Sequence, residues 1–420
     1  MRKLHGKVRI TNILMKDIAE IRADFPILKR KVYGKPLVYF DNGATTQKPQ
    51  SVLDAVNEVY ESYNGNIHRG VHFLSDMSSE AYEAAREKVR SFVNAEKREE
   101  IIFTSGTTGS INGIAFSFGE AFIKPGDEII LSCLEHHANI VPWQMMCERK
   151  GARLRVIPIN DDGEILLDEY YKLLSSKTRL VSVAQASNAL GTILPLKEII
   201  EAAHSADVPV LIDGAQGIQH GTVDLKAMDC DFYVFSGHKI YGPNGIGVLY
   251  GKEKWLSLLP PFQGGGDMVD KVTFEKTTYN ELPFKFEAGT MNYPGAIGLA
   301  SALDYVLGIG RENIASREKD LLSYASERLS GIKGLILYGK SNKKISTISF
   351  LIKDVHQYDT GMTLDKMGIA VRTGTHCAQP VMARYGIDGT VRASLCFYNT
   401  KEEIDALADG IEKVKTMFLK

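Results

Sequence analysis

The stretch DFYVFSGHKIYGP, residues 231–243, runs from an apolar segment straight into a turn that sets a histidine and a lysine side by side. The apolar part reads as a buried strand. A lysine at the end of such a strand ordinarily surfaces with its ammonium in water, because Lys is almost never fully buried without a partner. A chemical role for Lys239 needs companions on neighbouring loops.

Working outward, the same pattern recurs from about residue 100 to 250. A short apolar run is followed by a turn rich in Gly, Ser, Thr or His, then by a helical stretch. EEIIFTSGTTGSINGIAFSFGEAF (99–122), DEIILSCLEHHANIVPWQMM (127–146), TRLVSVAQASNALGTILPLKEIIEAAHSA (178–206) and VPVLIDGAQGIQH (208–220) all follow it. Strands alternating with helices predict βαβ units and an α/β domain with a mostly parallel sheet flanked by helices. In open sheets of this kind ligands gather beyond the carboxyl ends of the strands, which directs attention to the loops after each apolar run. The regularity breaks into Gly- and Pro-rich loops around 255–295 (LLPPFQGGGDMVD, FEAGTMNYPG). Helical segments, short strands (LILYG, ISTISFLI, IAVRTG) and a final amphipathic helix, TKEEIDALADGIEKVKTMF, predict a smaller C-terminal α+β domain. The expected division is 31–295 for the large domain, with 1–30 and 296–420 forming the small one.

The 420 residues are enough for two or three domains. A hydrophobic fraction of 44% and a charged fraction of 24% exclude disorder and collagen-like repeats. With 50 basic against 51 acidic residues there is no field to attract nucleic acid or an anionic membrane, so the expected partner is a small molecule or a protein. Five scattered cysteines, none in a CxxC pair, argue against a disulfide framework and a zinc site. No secretory leader is read at the start and no apolar stretch is long enough to span a bilayer, so the expected location is the cytoplasm.

The predicted loops deliver Thr107 and Thr108, then Glu135, His136 and His137, Asn188, Asp213 and Gln216, and finally Ser236, His238 and Lys239. Each has an ordinary alternative. SGTTGS also reads as a helix N-cap cluster, Asp213 as a turn former and His136 as a core histidine. Together, and in this order, they match the needs of pyridoxal 5′-phosphate. That cofactor takes a lysine for a Schiff base, an acid for its pyridine nitrogen and several donors for its phosphate. Lys239, Asp213 and the Ser/Thr/His group supply all three. The helix start in SGTTGSIN suits a dianion because its free amides and dipole point at it.

The chain resembles the fold-type I cysteine desulfurases, specifically the Suf-type group II with its selenocysteine lyase-like members. The motifs that carry the likeness are IRADFPILKRKVYGKPLVYFDNGATTQKP, NIHRGVH, EHHANIVPWQ, SNALGT, IDGAQ, DCDFYVFSGHKIYGPNGIGVLYG, FEAGT, RTGTHCAQP and RASLCFYNT. The resemblance implies that Lys239 holds the cofactor covalently, that Asp213 faces its pyridine nitrogen, that His136 stacks on the ring and that Gln216 lies near its phenolic oxygen. Thr107, Thr108, Ser236 and His238 would surround the phosphate, joined by Thr290 from the second subunit of a homodimer. Asn188 and Arg392 would grip the substrate carboxylate, with Ala44 and Arg372 beside it. Cys377 would be the nucleophile that takes sulfur from L-cysteine as a persulfide, leaving alanine. A Suf-type acceptor protein or a small reductant would then remove the sulfur for iron–sulfur cluster assembly, and L-selenocysteine and cysteine sulfinate are further candidate substrates.

The residues themselves support two of these assignments without closing the alternatives. Cys133, Cys147, Cys230 and Cys396 sit in apolar runs and read as inert. Cys377 lies in a Gly, Thr and His loop near Arg372 and His376, where positive charge favours a thiolate. Arg392 reads either as a surface ion pair or as a guanidinium fork for a carboxylate. Four positions depart from the family pattern: Thr375 and Gln185 where His is common, Ser105 where Arg is frequent, and Gly43 where Ala is usual. The last is expected to loosen the backbone near the substrate. NIHRGVH and QGGGD read as an entrance lining or as a solvated turn. An aminotransferase or β-lyase of the same fold, and a cofactor-binding scaffold without turnover, are the rival functions.

Overall fold

The computed structural model describes residues 17–419. The first sixteen residues, on which the reading of the chain's start and part of the 1–30 segment fall, lie outside the described residues. Seven strands form the central sheet: β1 (Ile101–Thr104), β2 (Glu128–Ser132), β3 (Arg153–Ile157), β4 (Thr178–Ala184), β5 (Val210–Asp213), β6 (Phe232–Ser236) and β7 (Gly247–Gly251). Their order across the sheet is β1-β7-β6-β5-β4-β2-β3. β2 to β6 pair in parallel, and β7 lies antiparallel between β1 and β6. The mostly parallel sheet expected from the sequence is present. β1, β2, β5, β6 and β7 are buried at every position, which is why they appear as unbroken apolar runs rather than alternating ones.

Helices α1 (Gln50–Ser62), α2 (Phe73–Phe92), α3 (Thr107–Phe122), α4 (Val141–Lys150) and α5 (Tyr293–Ile309) pack around this sheet. Its strands present opposite faces to two apolar clusters. One holds Phe103, Val181, Ile212 and Phe235, and the other Ile102, Leu180, Leu211 and Val234. α3 starts at Gly106, whose φ of 143° is one an L side chain rarely adopts. A Cβ on Gly247 would come within 2.4 Å of the Gly106 backbone, so two glycines let β7 pass the helix start.

A separate four-stranded antiparallel sheet is built from β8 (Leu335–Tyr338), β9 (Thr347–Ile352), β10 (Arg372–Gly374) and β11 (Thr390–Ser394), in the order β8-β9-β11-β10. α6 (Arg311–Ser330) and α7 (Lys401–Phe418) cover it. Leu321, Leu329, Phe350, Val391, Ile404 and Ile411 form its core. The apolar groupings do not follow the division read from the sequence. α5 carries Leu299, Leu303 and Val306 into the first core although it begins at the expected boundary. Ile21, Phe25 and Leu28 also pack in the first core, while Val38 and Phe40 pack in the second. The reason is local: Val38–Tyr39 pairs in parallel with Ile369–Ala370 in a separate two-stranded sheet, and Asp41 bridges Ser394 of β11, which holds this N-terminal strand against the smaller sheet.

Candidate active site

The carboxyl ends of β1, β2, β4, β5 and β6 all open on one edge of the sheet. The loops there enclose a cavity of about 190 Å³ lined by Thr107, Thr108, His136, Asn188, Asp213, Gln216, Ser236, His238 and Lys239. The second sheet closes it with Arg372, His376 and Arg392, and the FDNGATT segment with Gly43 and Ala44. Residues from eight separate segments therefore meet in one place. Two expected site residues are not among these walls. Cys377 adjoins the cavity through His376. Thr290 is exposed, donates to Asn66 Oδ1 at 3.1 Å and lines a different hollow with Phe262 and Met291.

Lys239 ends a 3-10 turn, Gly237–Lys239, that follows β6. The FDNGATT segment holds this turn. Thr46 N–H donates to the His238 carbonyl at 3.0 Å, and the Thr46 hydroxyl accepts from the Tyr241 amide at 2.8 Å. Burial lowers the Lys239 amine to about 8. Arg392 and Arg372 act in the same direction, while Asp213 and Cys377 oppose it. The lysine thus does not surface, against the ordinary expectation for a strand end.

Asp213, the last residue of β5, is buried, and its Oδ1 accepts the Ala215 amide at 2.9 Å. Burial raises its carboxyl, and the Ala215 amide and the Lys239 charge pull it back. His136 is held at about 3, first by burial and then by Lys239, His137 and the two arginines, so its imidazole is neutral at physiological pH. Its Nδ1 accepts the Ala138 amide at 3.0 Å, which fixes the ring. His238 is lowered to about 4 by burial, Lys239 and Lys48.

At the start of α3, Ser236 Oγ accepts the Thr107 amide at 2.8 Å and lies 2.8 Å from Thr107 Oγ1. The first turn of this helix has no acidic residue, which leaves its positive end uncompensated. Across the cavity, Arg392 is 1% exposed. It donates Nη1 to the Asn188 carbonyl at 2.9 Å and Nη2 to Asp41 Oδ1 at 3.1 Å. Arg372 stands opposite it in the β10/β11 register.

Four buried polar atoms on the cavity wall have no hydrogen-bond partner among the described residues: Asn188 Oδ1, Gln216 Oε1, His376 Nδ1 and Arg392 Nε. Buried polar groups are normally paired, so this cluster marks where a polar ligand belongs. A lysine amine of lowered basicity, a buried carboxylate, a neutral imidazole and an anion-binding helix start face the same space. That donor set fits pyridoxal 5′-phosphate.

One participant was not singled out by sequence reasoning. Asp41, which pairs with Arg392, follows the apolar run VYF and sits where a strand ends, the signal used for Asp213. Glu135 is fully buried and accepts hydrogen bonds from Ser132, from Asn139 at 2.6 Å and from the Ala184 amide at 3.0 Å. Burial pushes it up to about 7. Gly43 has a different role from the loosening expected of it. A Cβ there would stand 2.7 Å from Ser394 Oγ and 3.2 Å from the Arg392 guanidinium, so glycine permits close approach of the arginine. Gln185 accepts from Tyr233 Oη at 2.6 Å behind the Asp213 loop. Ser105 is exposed. Arg69 of NIHRGVH pairs with Asp267 of QGGGD at 2.5 Å, joining two segments that lie outside the cavity wall.

All five cysteines are free. Burial raises the thiols of Cys133, Cys147, Cys230 and Cys396, that of Cys147 to about 11. Cys377 is half-buried on a loop where both it and His376 have left-handed backbone, φ 56° and 55°. No helix among the described residues is long and apolar enough to cross a membrane.

The sheet order and this cavity define a fold-type I enzyme dependent on pyridoxal 5′-phosphate. Residues 38–407 match the aminotransferase class-V family, and the chain belongs to it. The chain is 53% identical over 400 residues to a cysteine desulfurase of Synechococcus elongatus, covering 95% of this chain and 64% of that one. It is 49% identical over 398 residues to a cysteine desulfurase of Escherichia coli, covering 94% and 98%. It thus spans less than two thirds of the first of these relatives and nearly all of the second. Among solved structures, an Escherichia coli cysteine desulfurase superposes with a TM-score of 0.89 at 39% identity over 96% of this chain and 99% of that one. The apo cysteine desulfurase of Thermococcus onnurineus gives 0.90 at 38% identity, over 95% and 98%.

Proposed function

We propose that this protein is a cysteine desulfurase of the Suf type, which converts L-cysteine to L-alanine and carries the sulfur on Cys377. The observation that carries the reading is the free, half-buried Cys377 beside a cavity that already holds a low-basicity lysine and a buried arginine. An aminotransferase needs the lysine and the acid but has no use for that thiol.

Lys239 would hold the cofactor through its amine, and Asp213 would keep the pyridine nitrogen protonated. His136 would lie on the ring face and Gln216 near the phenolic oxygen. Thr107, Thr108, Ser236, His238 and the start of α3 would take the phosphate, with Thr290 reaching in from the second subunit of a homodimer. Bound pyridoxal 5′-phosphate supplies an electron sink for a carbanion at the substrate Cα. Arg392 and Asn188 clamp the substrate carboxylate, with Ala44 and Arg372 beside it. Lys239, freed when the substrate's amino group takes its place on the cofactor, would take the Cα proton, and its lowered basicity leaves a larger neutral fraction at physiological pH than an ordinary lysine has. The Cys377 thiolate then attacks the substrate sulfur. A sulfur–sulfur bond forms, the carbon–sulfur bond breaks, and its electron pair goes to Cβ; protonation of Cβ and return of the Cα proton from Lys239 then give alanine. The sulfur is oxidised and Cβ reduced, so no external oxidant is needed. A thiol on a Suf-type acceptor protein in the cytoplasm takes the sulfur from Cys377 for iron–sulfur cluster assembly. L-selenocysteine and cysteine sulfinate present the same handles and are further substrates.

The test is release of alanine from L-cysteine, L-selenocysteine and cysteine sulfinate by the cofactor-loaded protein, with and without a reductant. Stimulated release from L-cysteine is expected. Transfer of the amino group to a keto acid without loss of sulfur would replace this reading with an aminotransferase.

A further inference from the structure

His376 is 3% exposed and lines the cavity, yet its Nδ1 meets no partner among the described residues. Its Nε2 lies 2.8 Å from Thr390 Oγ1, so Thr390 is the side chain that orients the ring. Thr390 is itself fully buried and stands two residues before Arg392 on β11, on the same face of the strand. The backbone around His376 is tied on both sides. Its carbonyl accepts Asn188 Nδ2 at 2.6 Å, and the Cys377 carbonyl accepts the His137 amide at 2.8 Å. Asn188 in turn receives Arg392 Nη1 on its own carbonyl. The chain of contacts runs from Arg392 through Asn188 to the turn that bears the thiol, and on to the loop that bears His136.

Two consecutive non-glycine residues in the left-handed region persist only where the surroundings over-determine them, and such positions cluster at functional sites. Asn188 and His137 hold this turn from outside by its carbonyls, and the His376–Thr390 contact is its side-chain anchor. We propose that His376 is a positioning residue: anchored by Thr390, it fixes the left-handed turn that presents Cys377 at the cavity and registers it against the Arg392–Asn188 pair. This rests on the desulfurase reading for its effect on turnover, but not for its effect on the thiol itself.

The experiment uses the cofactor-loaded full chain with His376→Ala, His376→Asn and Thr390→Val. Misplacing a reacting atom by about 1 Å costs roughly a hundredfold. His376→Ala is therefore expected to lower kcat for alanine release by about that factor, with KM and the cofactor absorbance within threefold of the wild type. Asn tolerates the left-handed region, so His376→Asn is expected to recover at least tenfold of the loss. Thr390→Val keeps the side-chain volume and removes the anchor; it is expected to fall at least tenfold, and it decides the matter if His376→Ala fails to fold. The rate at which iodoacetamide alkylates Cys377 gives a readout independent of turnover, expected to change at least threefold in His376→Ala and Thr390→Val. Unchanged alkylation and kcat in both variants would overturn the proposal. A wild-type protein that releases no alanine would instead overturn the desulfurase reading, and alkylation would still decide the role of His376.

Discussion

Replacing Arg392 by alanine isolates the clamp on the substrate. The guanidinium is 1% exposed and spends two of its nitrogens on the Asn188 carbonyl and Asp41, which leaves Nε unpaired toward the cavity. Removing one partner of a buried charge pair costs about 3–5 kcal/mol, and a bound amino acid places its carboxylate in that position. At about 1.4 kcal/mol per factor of ten, kcat/KM for L-cysteine should fall by roughly two to three and a half orders of magnitude. The loss should come mainly through KM. The fold should survive, because Asp41, left without its partner, is half-buried and already raised by burial, so it can take a proton. Arg392→Lys keeps the charge without the fork, and it should lie between the two. Alanine release over a range of L-cysteine concentrations, with the cofactor absorbance as the loading control, measures this. A fully loaded Arg392→Ala protein within fivefold of wild-type kcat/KM would refute the assignment.

Other outcomes follow from the same geometry. The Lys239 amine, lowered by burial to about 8 from 10.5, is neutral over more of the pH range than an ordinary lysine. Reloading of the apoprotein with pyridoxal 5′-phosphate should therefore accelerate as pH rises through a midpoint near 8, and a midpoint near 10 would contradict it. Gly43→Ala would overpack Ser394 and Arg392, with an expected cost of about 1–3 kcal/mol and a higher KM. Adding Ser394→Ala should relieve much of the effect, as denaturant titration and kinetics of the single and double variants would show. Glu287 of the FEAGT segment accepts both Nη atoms of the fully buried Arg86, the Tyr82 hydroxyl and the Phe103 amide. Glu287→Ala should therefore lose about 1–3 kcal/mol in urea unfolding, because it leaves the Phe103 amide and the Tyr82 hydroxyl without their partner and Arg86 with Glu83 as its remaining carboxylate.

How much of this was legible in the sequence depends on where each interaction is encoded. The sheet strands were readable because they are buried on both faces, so their hydrophobicity is continuous and each ends in a distinctive turn. Asp213, Ser236 and Lys239 lie within one residue of a strand or turn end, and position alone drew attention to them. Arg392 is different. It lies mid-strand in β11, and its meaning comes from partners 204 and 351 residues away. Only the family likeness pointed to it. Asp41 escaped because its partner is as remote. The place of α5 in the first apolar cluster was not legible, because helical periodicity shows that a face is buried but not against which sheet. Gly43 was misread for the same reason: the neighbours that require a glycine there, Ser394 and Arg392, are far off in the chain.

The most direct measurement is mass analysis of the Cys377 peptide after one turnover with L-cysteine in the absence of reductant. One added sulfur on Cys377 and one alanine released per subunit are expected. Both should be missing from Cys377→Ala, which should keep the cofactor's absorbance. Alanine release at the wild-type rate by Cys377→Ala would contradict the account.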